Sequence, residues 1–318
     1  MHQDNTVEFS VAICICTYKR PEGLENVLNS IKNLIADRII FSVFIADNDP
    51  ISHDGFNLIE RTRGAYPFNI FCEIEENSGI SHARNRTLRM VKNSHKHFRY
   101  VAFTDDDVEV SRQWLQELVT TSTFYKADIV VGKGEAKFAV PPSSDILQSG
   151  FFDFVTACQP TGTVLSDGTT SNVLFKKEIF DREGYEAFDA NLALTGGEDC
   201  DLFMRLHQKN YKMVHCASAV IYEIYPAERL NAQWILTRYY RSGSTYAYIL
   251  HKYGSRKALY VGAAKKVLVL VRDAVRYRLK PSLRHKCKLN NTLGFFFFFF
   301  NRRPYEEYKR PTVRLQEY

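Results

Sequence analysis

Across residues 9–119, continuous apolar runs alternate with segments whose apolar residues recur at helical spacing, and this restricts the chain to few architectures. Residues 9–16 form an apolar run interrupted only by Ser10, as suits a strand buried on both faces of a parallel sheet. Pro21 stands where a first helical turn accepts it, and Leu24, Val27, Leu28, Ile31, Leu34 and Ile35 follow along one helix face. Residues 41–46 give a second strand, closed by the turn residues Asp47-Asn48-Asp49-Pro50, and residues 68–74 a third. After Asn77-Ser78-Gly79, the residues Ile80, Ala83, Thr87, Leu88 and Val91 mark another helix. Residues 100–104 form a fourth strand that ends in Asp105-Asp106-Asp107, and Ser111 is the expected N-cap of a helix carrying Trp114, Leu115, Leu118 and Val119. Such βαβ repetition predicts an α/β fold with a doubly wound, mostly parallel sheet, whose ligands collect beyond the carboxyl ends of the strands. Three polar clusters (residues 17–20, 47–49 and 105–107) follow three of these strands and are expected to meet in one crevice.

The rest of the chain is less regular. Strands are expected at residues 127–138, 171–175 and 213–222, a loop-rich stretch at 141–170, and a helix at 198–208. From Pro226 onward the pattern is helical, with breaks expected near Gly243, Gly254 and Pro281. The division this suggests is a catalytic α/β domain over 1–225 and a helical, basic, aromatic-rich region over 226–318.

Charge separates the same two parts. Residues 251–318 hold 17 Lys and Arg against 4 Asp and Glu, whereas the first 250 residues are mildly acidic. Basic residues there interleave with large apolar ones: Lys265, Lys266, Arg272, Arg276, Arg278 and Lys280 among Leu259, Val261, Val267, Leu268, Leu270, Val271 and Val275. That mixture fits an anionic membrane surface, met through residues 255–303, better than nucleic acid, for which no motif is present. The six phenylalanines at 295–300 would dip into the interface; a helical hairpin packed on the catalytic domain is the alternative. Met1 to Glu8 carry no apolar signal core, and the longest apolar run falls well short of the roughly 20 residues that span a bilayer. Seven cysteines without a CxxC pair read as small buried hydrophobes in a reducing compartment. A cytoplasmic protein, peripheral to the inner face of the cell membrane, is the resulting expectation.

Chemistry is concentrated in carboxylates and arginines. Three adjacent aspartates at a strand end repel one another unless a cation compensates them, and Mg²⁺ or Mn²⁺ commonly bridges one or two such carboxylates to substrate phosphates. Asp105 and Asp107, two apart, would face the crevice together; a solvated acidic turn is the plainer reading of a bare triplet. Gly196-Gly197-Glu198-Asp199 enters a helix, where acidic residues also serve as caps, but a metal-held diphosphate leaving group still needs a base for the incoming hydroxyl. Asn77-Ser78-Gly79 followed by Ala83-Arg84-Asn85 suggests helix-terminal N–H groups and an arginine near phosphate or a nucleotide edge. Arg238 and Arg241, three apart after Gln233-Trp234, share a helix face and could clamp a pyrophosphate. His215, alone in an apolar strand, reads as a core histidine.

In this order the motifs resemble the family 2 glycosyltransferases of GT-A fold, and among them bacterial exopolysaccharide enzymes of the succinoglycan type. The match runs through Ile13-Cys14-Ile15-Cys16-Thr17-Tyr18-Lys19-Arg20-Pro21, Ala46-Asp47-Asn48-Asp49, Asn77-Ser78-Gly79, Phe103-Thr104-Asp105-Asp106-Asp107 and Gly197-Glu198-Asp199. The resemblance implies that Thr17, Tyr18, Arg20, Asp47 and Arg84 line the pocket of a nucleotide-sugar donor, expected to be a UDP-sugar. It implies that Asp105, Asp106 and Asp107 form the DXD element, with Asp105 and Asp107 on Mn²⁺ or Mg²⁺, and that Arg238 and Arg241 steady the diphosphate. Asp199 matches the catalytic base, with Glu198 beside it as the alternative. The acceptor would be a glycan or lipid-linked glycan. Tyr222-Glu223 stands where many relatives carry a histidine, so no histidine metal ligand is expected, and the chain lacks the transmembrane helices of processive synthases. Two rivals are weaker: a sugar nucleotidyltransferase would need a glycine- and lysine-rich phosphate loop where Thr17–Pro21 stands, and a silent binding module would not need Asp105, Asp107 and Asp199 intact.

Overall fold

The computed structural model describes residues 9–153, 159–254, 256–279 and 282–306, without the side chains of residues 256, 258 and 273–279. Expectations placed on Met1 to Glu8, Cys158, Lys280, Pro281 and the side chains of Val275, Arg276 and Arg278 fall outside these residues.

The elements in chain order are β1 (Phe9–Thr17), α1 (Pro21–Lys32), β2 (Ile39–Asp47), α2 (Asp54–Thr62), β3 (Asn69–Ile74), α3 (Ile80–Asn93), β4 (Tyr100–Asp105), β5 (Val108–Val110), α4 (Trp114–Tyr125), β6 (Ile129–Phe138), α5 (Ser144–Leu147), β7 (Asn172–Lys176), α6 (Glu178–Glu183), α7 (Glu198–Gln208), β8 (Met213–Tyr225), α8 (Ala232–Tyr253), α9 (Arg256–Leu279) and α10 (Leu283–Asn301). The strands form one sheet of order β3-β2-β1-β4-β7-β6-β8-β5. Pairs β1/β2, β2/β3, β1/β4 and β6/β8 are parallel, and β4/β7, β6/β7 and β5/β8 antiparallel.

Strand alternation explains the two-sided core. Val11, Ile13 and Ile15 of β1 pack with Leu24, Val27 and Leu28 of α1 and with Trp114 and Leu118 of α4. Ala12 and Cys14 point the other way, into a second core with Leu88 and Val91 of α3, Phe103, Phe175 and Phe203. The chain runs outward from β1 to β3, then returns to place β4 on the far side of β1. The switch point therefore lies between β1 and β4, and registers Thr17↔Asp47 and Cys16↔Asp105 bring three polar strand ends level with one another.

Two expectations are corrected. Ser111 does not cap α4: its carbonyl accepts the Trp114 N–H at 2.9 Å, while its buried hydroxyl has no protein partner, and Gln113 occupies the cap position. Gly243 does not break the C-terminal helix, because α8 runs through it. Its missing side chain serves a helix crossing instead. A Cβ at Gly243 would collide with the Asn291 carbonyl of α10, and one at Gly294 with the Tyr240 carbonyl of α8.

The C-terminal helices dock on the α/β body. Lys252 of α8 donates to Asp201 of α7 at 2.6 Å and to Asp189 at 2.7 Å, and Tyr253 donates to Asp201 at 2.8 Å. Phe295 and Phe298 are buried with Ala247 and Leu259, while Phe300 stays exposed. The phenylalanine run is thus partly core. No helix among the described residues is long and apolar enough to cross a membrane.

The six cysteines among the described residues are free, and burial lifts Cys14 and Cys72 to about 12, as fits inert core thiols. His215 is fully buried, its Nδ1 is 3.1 Å from the Val131 carbonyl, and burial lowers its pKa, so it remains a neutral core residue.

Candidate active site

Beyond the carboxyl ends of β1 and β4 lies an open cavity of about 720 Å³. Its lining includes Thr17, Tyr18 and Arg20 after β1, Asn48 after β2, Arg84 of α3, Asp105, Asp106 and Asp107 after β4, Glu198 and Asp199 of α7, Glu223 of β8, and Arg229, Trp234, Arg238 and Arg241 from the C-terminal part. Residues on both sides of Pro226 therefore wall one site.

The aspartate triplet divides its work. Asp106 is buried and turned inward, accepting the Thr17 hydroxyl at 2.8 Å and Arg20 at 2.9 Å. Burial raises it to about 6, against the pull of Arg20. Asp107 is held by Arg20 and Arg229, each at 2.9 Å. Asp105 keeps a longer contact, 3.4 Å from Arg84, and a third of its side chain is exposed. Burial raises Asp105, with Asp107 and Asp199 adding repulsion that Arg84 only offsets.

Glu223 joins this crowd through sheet register. Val108 pairs with Glu223, and the Ile224 N–H donates to the Asp107 carbonyl at 2.9 Å, which seats Glu223 beside Asp107. Burial and the negative charge of Asp107 push it up to about 7. A carboxyl raised in the fold contributes stability below its unfolded value and loses it as pH rises. Metal-free protein is therefore expected to lose stability as pH rises from about 4.5 to about 7, and Glu223→Gln to flatten that slope in denaturation midpoints taken across the range. An unchanged slope would assign the loss to other groups.

Among the described residues no three carboxylate, histidine or cysteine side chains form a ready metal cage. The donors at the β4 end are all oxygen and mutually repelling, which suits a hard divalent cation completed by substrate phosphates and water.

The turn into α7 explains which acidic residue is available. Gly196 and Gly197 have φ of 69° and 89°, and a Cβ on either would strike Arg241 or Thr245 of α8. The turn delivers Glu198 inward, buried and ion-paired with Arg84, whose guanidinium also lies 5.6 Å from the Phe188 ring. Asp199 faces the cavity and accepts the main-chain N–H of Cys200 at 2.8 Å.

Other predicted residues sit differently from expectation. Asp47 is fully buried and does not line the cavity; it accepts the N–H groups of Phe56 at 2.9 Å and Asp49 at 3.1 Å, and so shapes the loop from beneath. Its neighbour Asn48 lines the cavity and ties its own loop to the one between β3 and α3, donating to Glu75 and Asn77 carbonyls and accepting from Gly79. The N-terminus of α3 is less open than the sequence suggests. The Gly79 N–H is taken by Asn48, and the Ile80 N–H by the Ala193 carbonyl at 3.1 Å. Arg238 and Arg229 lie 5.5 and 5.7 Å from the Trp234 ring, so one indole orders two guanidinium groups at the mouth. Sequence reasoning placed Asn48 in a cluster expected at the crevice but gave no individual role to Asn48, Glu223 or Arg229. Only turn chemistry at Asn48 and a charge after an apolar strand at Glu223 hinted at them.

The sequence pattern described as Glycosyl transferase family 2 matches residues 12–184. The succinoglycan biosynthesis protein ExoM of Rhizobium meliloti (strain 1021) is 31% identical over 256 residues, covering 80% of each protein. Among solved structures, the mannosyltransferase PcManGT from Pyrobaculum calidifontis, in complex with GDP-Man and Mn²⁺, is similar with a TM-score of 0.62 at 16% identity, covering 92% of this chain and 89% of that one. TarS 1–349 of S. aureus in complex with UDP-GlcNAc is similar with a TM-score of 0.51 at 12% identity, covering 92% of each. Sequence pattern, relative and fold agree: the chain is a GT-A glycosyltransferase and belongs to glycosyltransferase family 2.

Proposed function

We propose that this enzyme transfers a single sugar, with inversion and with the help of a divalent metal, from a UDP-sugar to a hydroxyl of a glycan or lipid-linked glycan in surface polysaccharide biosynthesis. The observation that carries the reading is the placement of Asp199 on the same cavity as the Asp105–Asp107 turn, while Glu198 is neutralised by Arg84. The likeness to a succinoglycan biosynthesis protein supports the polysaccharide setting. We place the enzyme on the cytoplasmic side, peripheral to the inner face of the cell membrane.

Asp105 and Asp107 are the residues to hold Mn²⁺ or Mg²⁺, with Asp106 bracing Thr17 and Arg20 behind them. A cation bound there supplies Lewis-acid stabilisation of charge on the departing diphosphate. Arg238 and Arg241 face the diphosphate, and Thr17, Tyr18, Arg20 and Asn48 take the nucleoside side, with Asp47 and Arg84 fixing the loops around it. Asp199 accepts the proton of the acceptor hydroxyl as that oxygen bonds to the anomeric carbon from the face opposite UDP. The bond to UDP breaks in the same step, so an α-linked donor gives a β-linked product.

The test is UDP release from a panel of UDP- and GDP-sugars, with Mn²⁺ and after chelation, for wild type and Asp107→Ala. Metal-dependent release from one UDP-sugar, reduced about a hundredfold or more in Asp107→Ala, is the expected result. Release from a GDP-sugar alone would overturn the donor assignment. Metal-independent nucleotide binding with no turnover of any donor would mark a binding protein on a glycosyltransferase fold.

A further inference from the structure

We propose that the outward face of α9 docks this protein on an anionic lipid bilayer. The inference gives a surface to the membrane attachment proposed above, and it stands apart from the donor chemistry, which serves as its control. On α9, Leu259 is buried against Ala247, Phe295 and Phe298, and Lys266 turns inward to the Asn291 side chain of α10. That side is already covered by α8 and α10. The opposite side is apolar as well: Tyr260, Val261, Val267, Leu268 and Val271 are 58, 42, 47, 69 and 62% exposed. At 100° per residue they span about a third of the helix circumference, one continuous stripe over three turns.

A helix apolar on both sides needs a second apolar neighbour, because a stripe of this length left in water is costly. Charge decides what that neighbour is. Residues 256–272 contain five Lys or Arg and no Asp or Glu, and Lys257, Lys265 and Arg272 are exposed along the stripe. A second copy of the chain would bring like charges together, whereas an acidic headgroup layer over hydrocarbon satisfies cations and stripe at once.

The experiment is co-sedimentation of the full chain with phosphatidylcholine vesicles and with the same vesicles containing phosphatidylglycerol, at low and high salt. Binding to the phosphatidylglycerol vesicles that weakens with salt is expected. Leu268→Gln/Val271→Gln and Lys257→Gln/Lys265→Gln should each lower the partition constant about tenfold or more, with unchanged melting temperature and donor hydrolysis. Absence of binding at low salt, or binding indifferent to both double variants, overturns the proposal. So does a dimer in solution that Leu268→Gln/Val271→Gln dissociates without any vesicle binding, which would make the stripe a self-interface. Loss of donor hydrolysis in wild type with intact vesicle binding would count against the catalytic reading alone.

Discussion

Asp199→Asn is expected to lower kcat for transfer to a true acceptor by about 10²–10⁴-fold, while UDP affinity in the presence of Mn²⁺ changes by less than about threefold. The substitution is nearly isosteric. Asparagine keeps an oxygen for the Cys200 N–H, so the first turn of α7 stays in place, but the amide cannot take a proton from the acceptor. The comparison that gives the result meaning is Glu198→Gln. Glu198 is buried with its charge matched by Arg84, so its removal acts on packing of the α7 entrance and should lower stability together with activity. A general base shows a loss of kcat with fold and donor binding retained; a positioning residue shows both losses together. If Glu198→Gln lost turnover at full stability while Asp199→Asn retained it within a few fold, the assignment would reverse and Glu198 would be the base.

The legible parts of the molecule are those whose physics is local. β1, β2 and β4 announce themselves because a strand buried on both faces must be apolar throughout, and polar clusters at their ends mark where the apolar demand stops. The convergence of those clusters follows from the fold class, and the register between β1, β2 and β4 bears it out. Short or context-dependent elements were not legible. β5 has three residues, too few for a period, yet it is what seats Glu223 beside Asp107. α2 begins after His53 in a left-handed conformation with φ of 56°, without a side-chain cap to signal it. Gly243 looked like a break because propensity alone penalises glycine in a helix; its partner Gly294 is far away in sequence, and only the crossing of α8 and α10 supplies the reason.

The same limit applied within the site. Aspartates at strand ends are visible, but which one faces the cavity depends on what arrives from elsewhere. Asp106 has both oxygens occupied because Thr17 and Arg20 meet it from the loop after β1. Asp47 is consumed by N–H groups of the loop that follows it. The ion pair of Arg84 with Glu198 joins residues 114 positions apart, and no local pattern forecasts it.

That pair carries the second large expectation: Arg84→Met should destabilise the enzyme by about 3–5 kcal/mol, a fall in Tm on the order of 5–10 °C, and cut turnover with it. Arg84 and Glu198 side chains are 7 and 5% exposed, so solvent does little to screen them, and Asp105 lies at 3.4 Å on the other side of the guanidinium. Removing the cation leaves a buried carboxylate without its counter-charge, and Glu198 Oε2 already has no protein partner. Lysine should rescue little, since one ammonium cannot reproduce a fork that reaches both Glu198 and Asp105. Burial already raises Glu198 even with Arg84 present, and the variant should hold it protonated to still higher pH. The sign follows: a raised carboxyl contributes stability at low pH and loses it as pH rises, so Arg84→Met should approach wild-type stability as pH falls and diverge from it towards neutrality. Denaturant titrations at several pH values measure this directly. Arg84→Met/Glu198→Met removes both buried charges and should recover most of the lost stability, though not the turnover that depends on Asp199 being held in place. A single variant as stable as wild type at neutral pH would mean that water reaches the pair, and that the entrance of α7 is fixed by the Gly196-Gly197 turn against α8 alone.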